Sequence, residues 1–301
     1  MNRKRMRKLL KSDIAFPEWT LVLPIMLVII FRFIFFSILE PDAETVKNSM
    51  NAPLYSREHI DDQLIHSVDI IKEIPENSHV LILVNYGPEA RFELEPALAA
   101  LITHLAQKNI SISFISMVPT GIESSFLASE RAIELGNIGK DNFLYNRNYT
   151  HLGYAVGDSI ASYMVANDFS NFAEKDLFNT SAKKQIAMEK IDEISDYSMI
   201  FEFSSRTFDG LPAIVALSFF NRTPIKKTVF CTTDIVPAYI PFRNIYLDGF
   251  IGGYKSLSQF KNRIRPSEFE SESDKIFRWS LIYVLVLVFV SSLASFVRGR
   301  K

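Results

Sequence analysis

The sequence predicts an α/β fold: a doubly wound, mostly parallel four- to five-stranded sheet, with one transmembrane helix at each end of the chain. Three observations predict it. Short, continuous apolar runs recur along the middle of the chain, as expected of strands buried on both faces of a parallel sheet. Segments of helical periodicity separate them, the alternation of βα units. Two much longer apolar runs bracket the whole.

The first bracket is residues 19–39, WTLVLPIMLVIIFRFIFFSIL. As a helix it is about 31 Å long, enough to cross a hydrocarbon core of about 30 Å. The second is residues 279–297, WSLIYVLVLVFVSSLASFV, and carries no charge. Both open with Trp, a residue favoured at the bilayer interface. The first run is too long for a signal peptide's apolar core and no small-residue cleavage site follows, so it reads as a retained signal anchor. Arg3, Lys4, Arg5, Arg7, Lys8 and Lys11 precede it, and Arg298, Arg300 and Lys301 follow the second run. Positive flanks stay on the cytoplasmic side. The expected organisation is a basic cytoplasmic tail (1–18), a span (19–39), an extracytoplasmic α/β domain (40–278), a span (279–297) and a short basic tail (298–301). The expected location is a bacterial inner membrane, the domain facing the periplasm or exterior. Arg32 lies within the first span, where a central Arg is costly. It either snorkels toward the outer headgroups, about 12 Å away along the helix, or contacts a partner span or lipid phosphate.

Within the domain, residues 54–74 carry Ile60, Leu64, Val68 and Ile71 at helical spacing. VLILV (80–84) reads as a strand, and Gly87-Pro88 as its turn. Residues 96–108 read as a helix entered at Pro96, a residue tolerated in a first turn. ISISFISM (110–117) is the next strand. Residues 122–135 and 156–165 read as helices separated by a polar loop, 136–149. Residues 183–194 read as a helix, SMIFEF (198–203) as a strand, 211–220 as a helix and KTVFC (227–231) as a strand.

Three blocks carry a resemblance: VNYGPEARFELEPALAALITHL (84–105), GKDNFLYNRNYTHLGYAVG (139–157) and DGFIGGY (248–254). Together with the bracketing spans, they resemble a family of uncharacterised bacterial membrane-anchored α/β proteins. This chain has Asn85 where that family tends to carry an acidic residue. The resemblance implies architecture and membrane placement, and no catalytic residues.

Composition excludes several classes. Lys and Arg total 33 against 34 Asp and Glu, a net charge of −1, so nucleic acid is not an expected partner. A single cysteine excludes an intramolecular disulfide. The five histidines form no metal motif, and no phosphate-binding or dinucleotide glycine motif is present, so no metal and no cofactor is expected. Residues 157–161, GDSIA, have the outline of a nucleophile elbow, yet no clear strand precedes them, and Asp158 reads more simply as a helix cap.

In a doubly wound sheet, ligands bind beyond the carboxyl ends of the strands. Asn85, Tyr86 and Glu89 fall there after the first strand, Ser204 and Arg206 after the third, Thr232 and Asp234 after the fourth. The 139–153 loop could bring Lys140 and His151 over them. These types suit an anionic ligand, and they equally suit ordinary turns and caps. Gly249, Phe250, Gly252, Gly253 and Tyr254 combine small and apolar residues, suiting either a protein–protein contact or core packing. Two functions are compatible with this. One is a non-enzymatic membrane-anchored module that assembles with itself or with other envelope proteins. The other is an extracytoplasmic enzyme or binding domain for an anionic or envelope-derived small molecule.

Overall fold

A computed structural model of the chain describes residues 57–264, apart from 137, 140, 141, 158 and 221–223. Both expected spans, both basic tails and Arg32 lie outside the described residues. Among the described residues, no helix is long and apolar enough to cross a membrane.

The sheet has six strands: β1 (His79–Asn85), β2 (Ser111–Ser116), β3 (Tyr149–Tyr154), β4 (Met199–Ser204), β5 (Lys226–Cys231) and β6 (Gly249–Gly252). Every pairing is parallel, in the order β3-β2-β1-β4-β5-β6. The winding reverses between β1 and β4, where Asn85 pairs with Ser204. The expected four or five strands are therefore six. β3 was hidden because YTHLGY is not a continuous apolar run, and its pairing with β2 shifts register between Phe114 and Ile115. β6 was hidden in the Gly-rich segment, being only GFIG.

Helices cover both faces. α1 (Arg57–Lys72), α2 (Arg91–Gln107), α3 (Pro119–Leu135) and α6 (Gly253–Ile264) pack on one. α4 (Ser159–Asn167) and α5 (Ala213–Phe220) pack on the other. β1 alternates between the two cores: Val80, Ile82 and Val84 point into the first, Leu81 and Leu83 into the second. A strand buried on both sides needs no polar face, which is why it reads as an unbroken apolar run.

Two expected helices are corrected. α2 begins at Arg91, after a single 3-10 turn at Pro88–Ala90, and Pro96 lies inside it. The proline that opens this stretch is Pro88. Residues 183–194 form no α-helix. They make 3-10 turns at Ala182–Lys184, Ile186–Met188 and Ile194–Asp196, because Gln185 between the first two is extended, at φ −86° and ψ 139°.

Both edges of the sheet are covered, which prevents pairing with a foreign strand. Ser67 of α1 accepts the Phe250 N–H of β6 at 2.9 Å, and the Leu177 N–H donates to the His151 carbonyl of β3 at 2.8 Å. Glycines permit the tightest approaches. A Cβ on Gly121, in the first turn of α3, would collide with the Val84 carbonyl oxygen and the Ser116 hydroxyl. A Cβ on Gly249 would collide with the Thr228 hydroxyl. Gly249 and Gly252 thus serve the β5–β6 junction, and Gly253, at φ 81°, opens α6. Phe250 is half-buried, while exposed Tyr254 stacks on Phe92 at 5.8 Å.

The backbone oxygen of Val84 cannot yield like a side-chain tip. Gly121→Ala should therefore lower the unfolding free energy by about 1–3 kcal/mol, read as a drop in thermal midpoint.

Candidate functional site

The carboxyl ends of β1 and β4 form the point where ligands bind in sheets of this order. The groups at the centre of it are turned inward. Asn85 is fully buried: its Nδ2 donates to Glu202 Oε1 at 3.1 Å, and its Oδ1 accepts the Met117 N–H at 2.9 Å. Glu202 is also fully buried, and its Oε2 accepts the Ile214 N–H from the first turn of α5 at 3.0 Å. Burial raises the Glu202 carboxyl, opposed by the hydrogen bonds from Ile214 and Asn85. Ser204 donates to the Arg206 carbonyl at 2.7 Å and accepts the Arg206 N–H at 3.3 Å. Tyr86 is buried, and burial raises its phenol well above the usual range. Tyr239, equally buried, is raised by burial and then by the neighbouring Glu202 charge.

The rim above this cluster is acidic. Glu89 accepts the Gly87 N–H at 3.2 Å and the Ser205 hydroxyl at 3.4 Å. Glu93, in the first turn of α2, accepts both the N–H and the hydroxyl of Thr233, at 3.0 and 2.8 Å. These carboxylates stand beside the positive end of α2, where an anionic ligand would otherwise gain most. Arg206 is exposed with its guanidinium 5.8 Å above the Phe208 ring, Asp234 is exposed, and Thr232 is buried at the end of β5.

The structure thus brings Asn85, Tyr86, Glu89, Ser204, Arg206, Thr232 and Asp234 to one edge of the sheet. Lys140 lies outside the described residues. His151 does not join the cluster: it lies on β3, paired with Phe114, about 14 Å from β4 across two intervening strands. It is sandwiched by Phe126 at 3.8 Å and Phe114 at 4.8 Å, and Nδ1 meets the Ser125 hydroxyl at 3.0 Å. Burial lowers its pKa to about 3, so the ring is neutral at physiological pH. Cys231 is buried, and burial holds its thiol well above the ordinary range.

The GDSIA segment also needs correction. A strand, β3, does precede α4, with residues 155–158 between them. However, Asp158 and the side chain of Ser159 lie outside the described residues, so no nucleophile is assigned. Among the described residues, no group of three or more His, Cys, Asp or Glu is placed to hold a metal ion.

Sequence reasoning missed Glu202. Its signal was one charged residue inside SMIFEF, an otherwise apolar strand. It also missed a set around Asp176, whose buried carboxylate accepts from the Tyr145 hydroxyl (3.0 Å), Gln185 Nε2 (2.8 Å) and the N–H groups of Phe178 (3.0 Å) and Thr180 (2.7 Å). Compared with known proteins, the chain matches no family model and no curated protein.

Two predictions follow from these buried groups. Glu202→Gln keeps one acceptor where the carboxyl has two, and turns an N–H toward the Ile214 N–H. It should destabilise the fold by about 1–3 kcal/mol in denaturant titrations. His151 behaves differently. Its folded pKa lies below the ordinary value near 6.5, so its contribution is complete above that value and is lost as pH falls toward 3. Thermal midpoints measured across this window should fall more steeply in wild type than in His151→Phe.

Proposed function

We propose that this chain is a membrane-tethered, extracytoplasmic α/β module, non-enzymatic, that assembles with further copies of itself at the bacterial inner membrane. The observation that carries this reading is an apolar surface on α4 and α5. Ile160, Tyr163 and Met164 of α4 are exposed, Ile160 by 67%. Phe219 and Phe220 of α5 are also exposed. Ring contacts make them continuous: Tyr163 meets Phe220 at 5.3 Å, and Phe219 meets Tyr246 at 4.9 Å. Isolated exposed apolar residues are ordinary, whereas a connected aromatic surface beside a packed core marks a contact site.

Two further points favour a second copy as the occupant. The two apolar runs expected to span the membrane would confine all copies to one plane in one orientation. That raises their effective concentration and lets a modest apolar face suffice. At the strand ends Asn85, Glu202 and Ser204 are spent on internal hydrogen bonds, and the rim beside them is acidic. This favours a structural role for that edge over capture of an anion. Other envelope proteins are the competing occupants of the same face.

Mass determination of the detergent-purified full chain tests the proposal. Wild type should run as a defined oligomer, and Ile160→Asp with Phe220→Asp should run as a monomer of unchanged thermal midpoint. A strictly monomeric wild type would reject self-assembly. A stoichiometric foreign protein lost in the double variant would assign the face to a hetero-partner instead.

A further inference from the structure

On the amino-terminal side of β3, away from the strand-end cluster, the chain forms a cavity of about 280 Å³ that is open to solvent. It is lined by Tyr145, Asn146 and Arg147 from the segment before β3, and by Thr180, Ser181, Lys184, Gln185 and Ile186 from the segment before β4. Its size is at the small end of the range for small-molecule sites.

The chemistry of the lining is asymmetric. Arg147 and Lys184 are both exposed cations, and neither forms an ion pair among the described residues. Among the described residues, no acidic side chain lines the cavity. Asp176 lies behind the wall, its carboxylate engaged by four donors. That engagement fixes the wall. Gln185 is 4% exposed, and its Nε2 must face Asp176, so its Oε1 is turned away. This oxygen, like Asn146 Oδ1, is buried and accepts no hydrogen bond. An unmet buried acceptor carries a cost that a ligand donor would relieve. The backbone holds both walls in place: the Ala187 N–H donates to the Asn146 carbonyl at 3.2 Å, and Asn146 sits at φ 67°.

We infer that this cavity binds a small hydroxylated anion, a sugar acid or sugar phosphate. Arg147 and Lys184 take the charged group, and Gln185 Oε1 and Asn146 Oδ1 accept from its hydroxyls. The Thr180 and Ser181 hydroxyls can serve either role. The side chains of Tyr145 and Ile186 supply an apolar wall. The site is independent of the α4–α5 face, so it does not depend on the assembly state.

Isothermal titration of the full chain in detergent with four probes tests this: glucuronate, glucose 6-phosphate, inorganic phosphate and glucose. At least one of the two hydroxylated anions should bind with a Kd below about 1 mM, and whichever binds tighter identifies the charged group as carboxylate or phosphate. Glucose and inorganic phosphate should each bind at least about tenfold more weakly, since each lacks one half of the recognition. Arg147→Ala with Lys184→Ala should weaken the preferred probe by at least about tenfold without moving the ligand-free thermal midpoint, because both side chains are exposed. Arg206→Ala, at the strand ends, should leave binding unchanged. The inference is overturned by absence of binding to both hydroxylated anions at about 10 mM. It is equally overturned if inorganic phosphate binds as tightly as glucose 6-phosphate, or if binding survives the double variant but is lost with Arg206→Ala.

Discussion

The carboxylate of Glu202 is the tie on which the centre of this fold depends. In a doubly wound sheet the chain turns to opposite faces on either side of the reversal, so the ends of β1 and β4 are pulled apart by the elements that follow them. Glu202 joins three of these parts: its own strand β4, Asn85 at the end of β1, and the first turn of α5 through the Ile214 N–H. Asn85 extends the tie to the chain leaving β2 by accepting from Met117. A buried carboxyl is costly, and removing it would strand the donors that converge on it, which costs more than a simple cavity. The apolar clusters on the two faces supply most of the driving force. The polar tie sets where the strands end and which way the chain leaves them.

That arrangement has a functional cost at the usual binding edge. Once Asn85, Ser204 and Glu202 are committed to one another, and Glu89 and Glu93 stand over the start of α2, little is left there to recognise an anion. Two further exposed cations in no ion pair among the described residues, Arg147 and Lys184, lie beside β3, where Asp176 organises a loop together with the unmet acceptors of Asn146 and Gln185. The chain's spare apolar surface lies on α4 and α5. These three regions are separate in space and differ in chemistry, so binding at one does not require the others to move.

Much of the sheet was legible in the sequence because its central strands are buried on both faces. VLILV and MIFEF have no solvent side to satisfy, so their runs are apolar throughout but for Glu202. β3 and β6 were not legible. At the edges, burial is partial and glycine replaces bulk: Gly153 at φ 95° bends β3, and Gly249 lets β6 approach Thr228. The 183–194 segment misled for another reason. Its apolar residues do face inward, but they reach the core from 3-10 turns held by Gln185 and Asp176, a long-range constraint that local spacing does not carry. Topology alone was enough to bring Asn85, Tyr86, Glu89, Ser204, Arg206, Thr232 and Asp234 to the strand ends, but not His151. That Asn85 faces inward rather than toward solvent follows from Glu202, which sequence patterning hid among its apolar neighbours.

The covering of β6 by α1 also dictates an order of events during synthesis. Ser67 belongs to the first described helix, yet the Phe250 N–H it accepts comes 183 residues later. At ribosomal speeds of 5–20 residues per second, that interval is about 10–40 s. Throughout it the apolar side of α1 waits without the edge it seals, and the sheet cannot terminate on that side. The domain therefore closes only when β6 has emerged, making the appearance of that strand the step that ends the exposure of this edge.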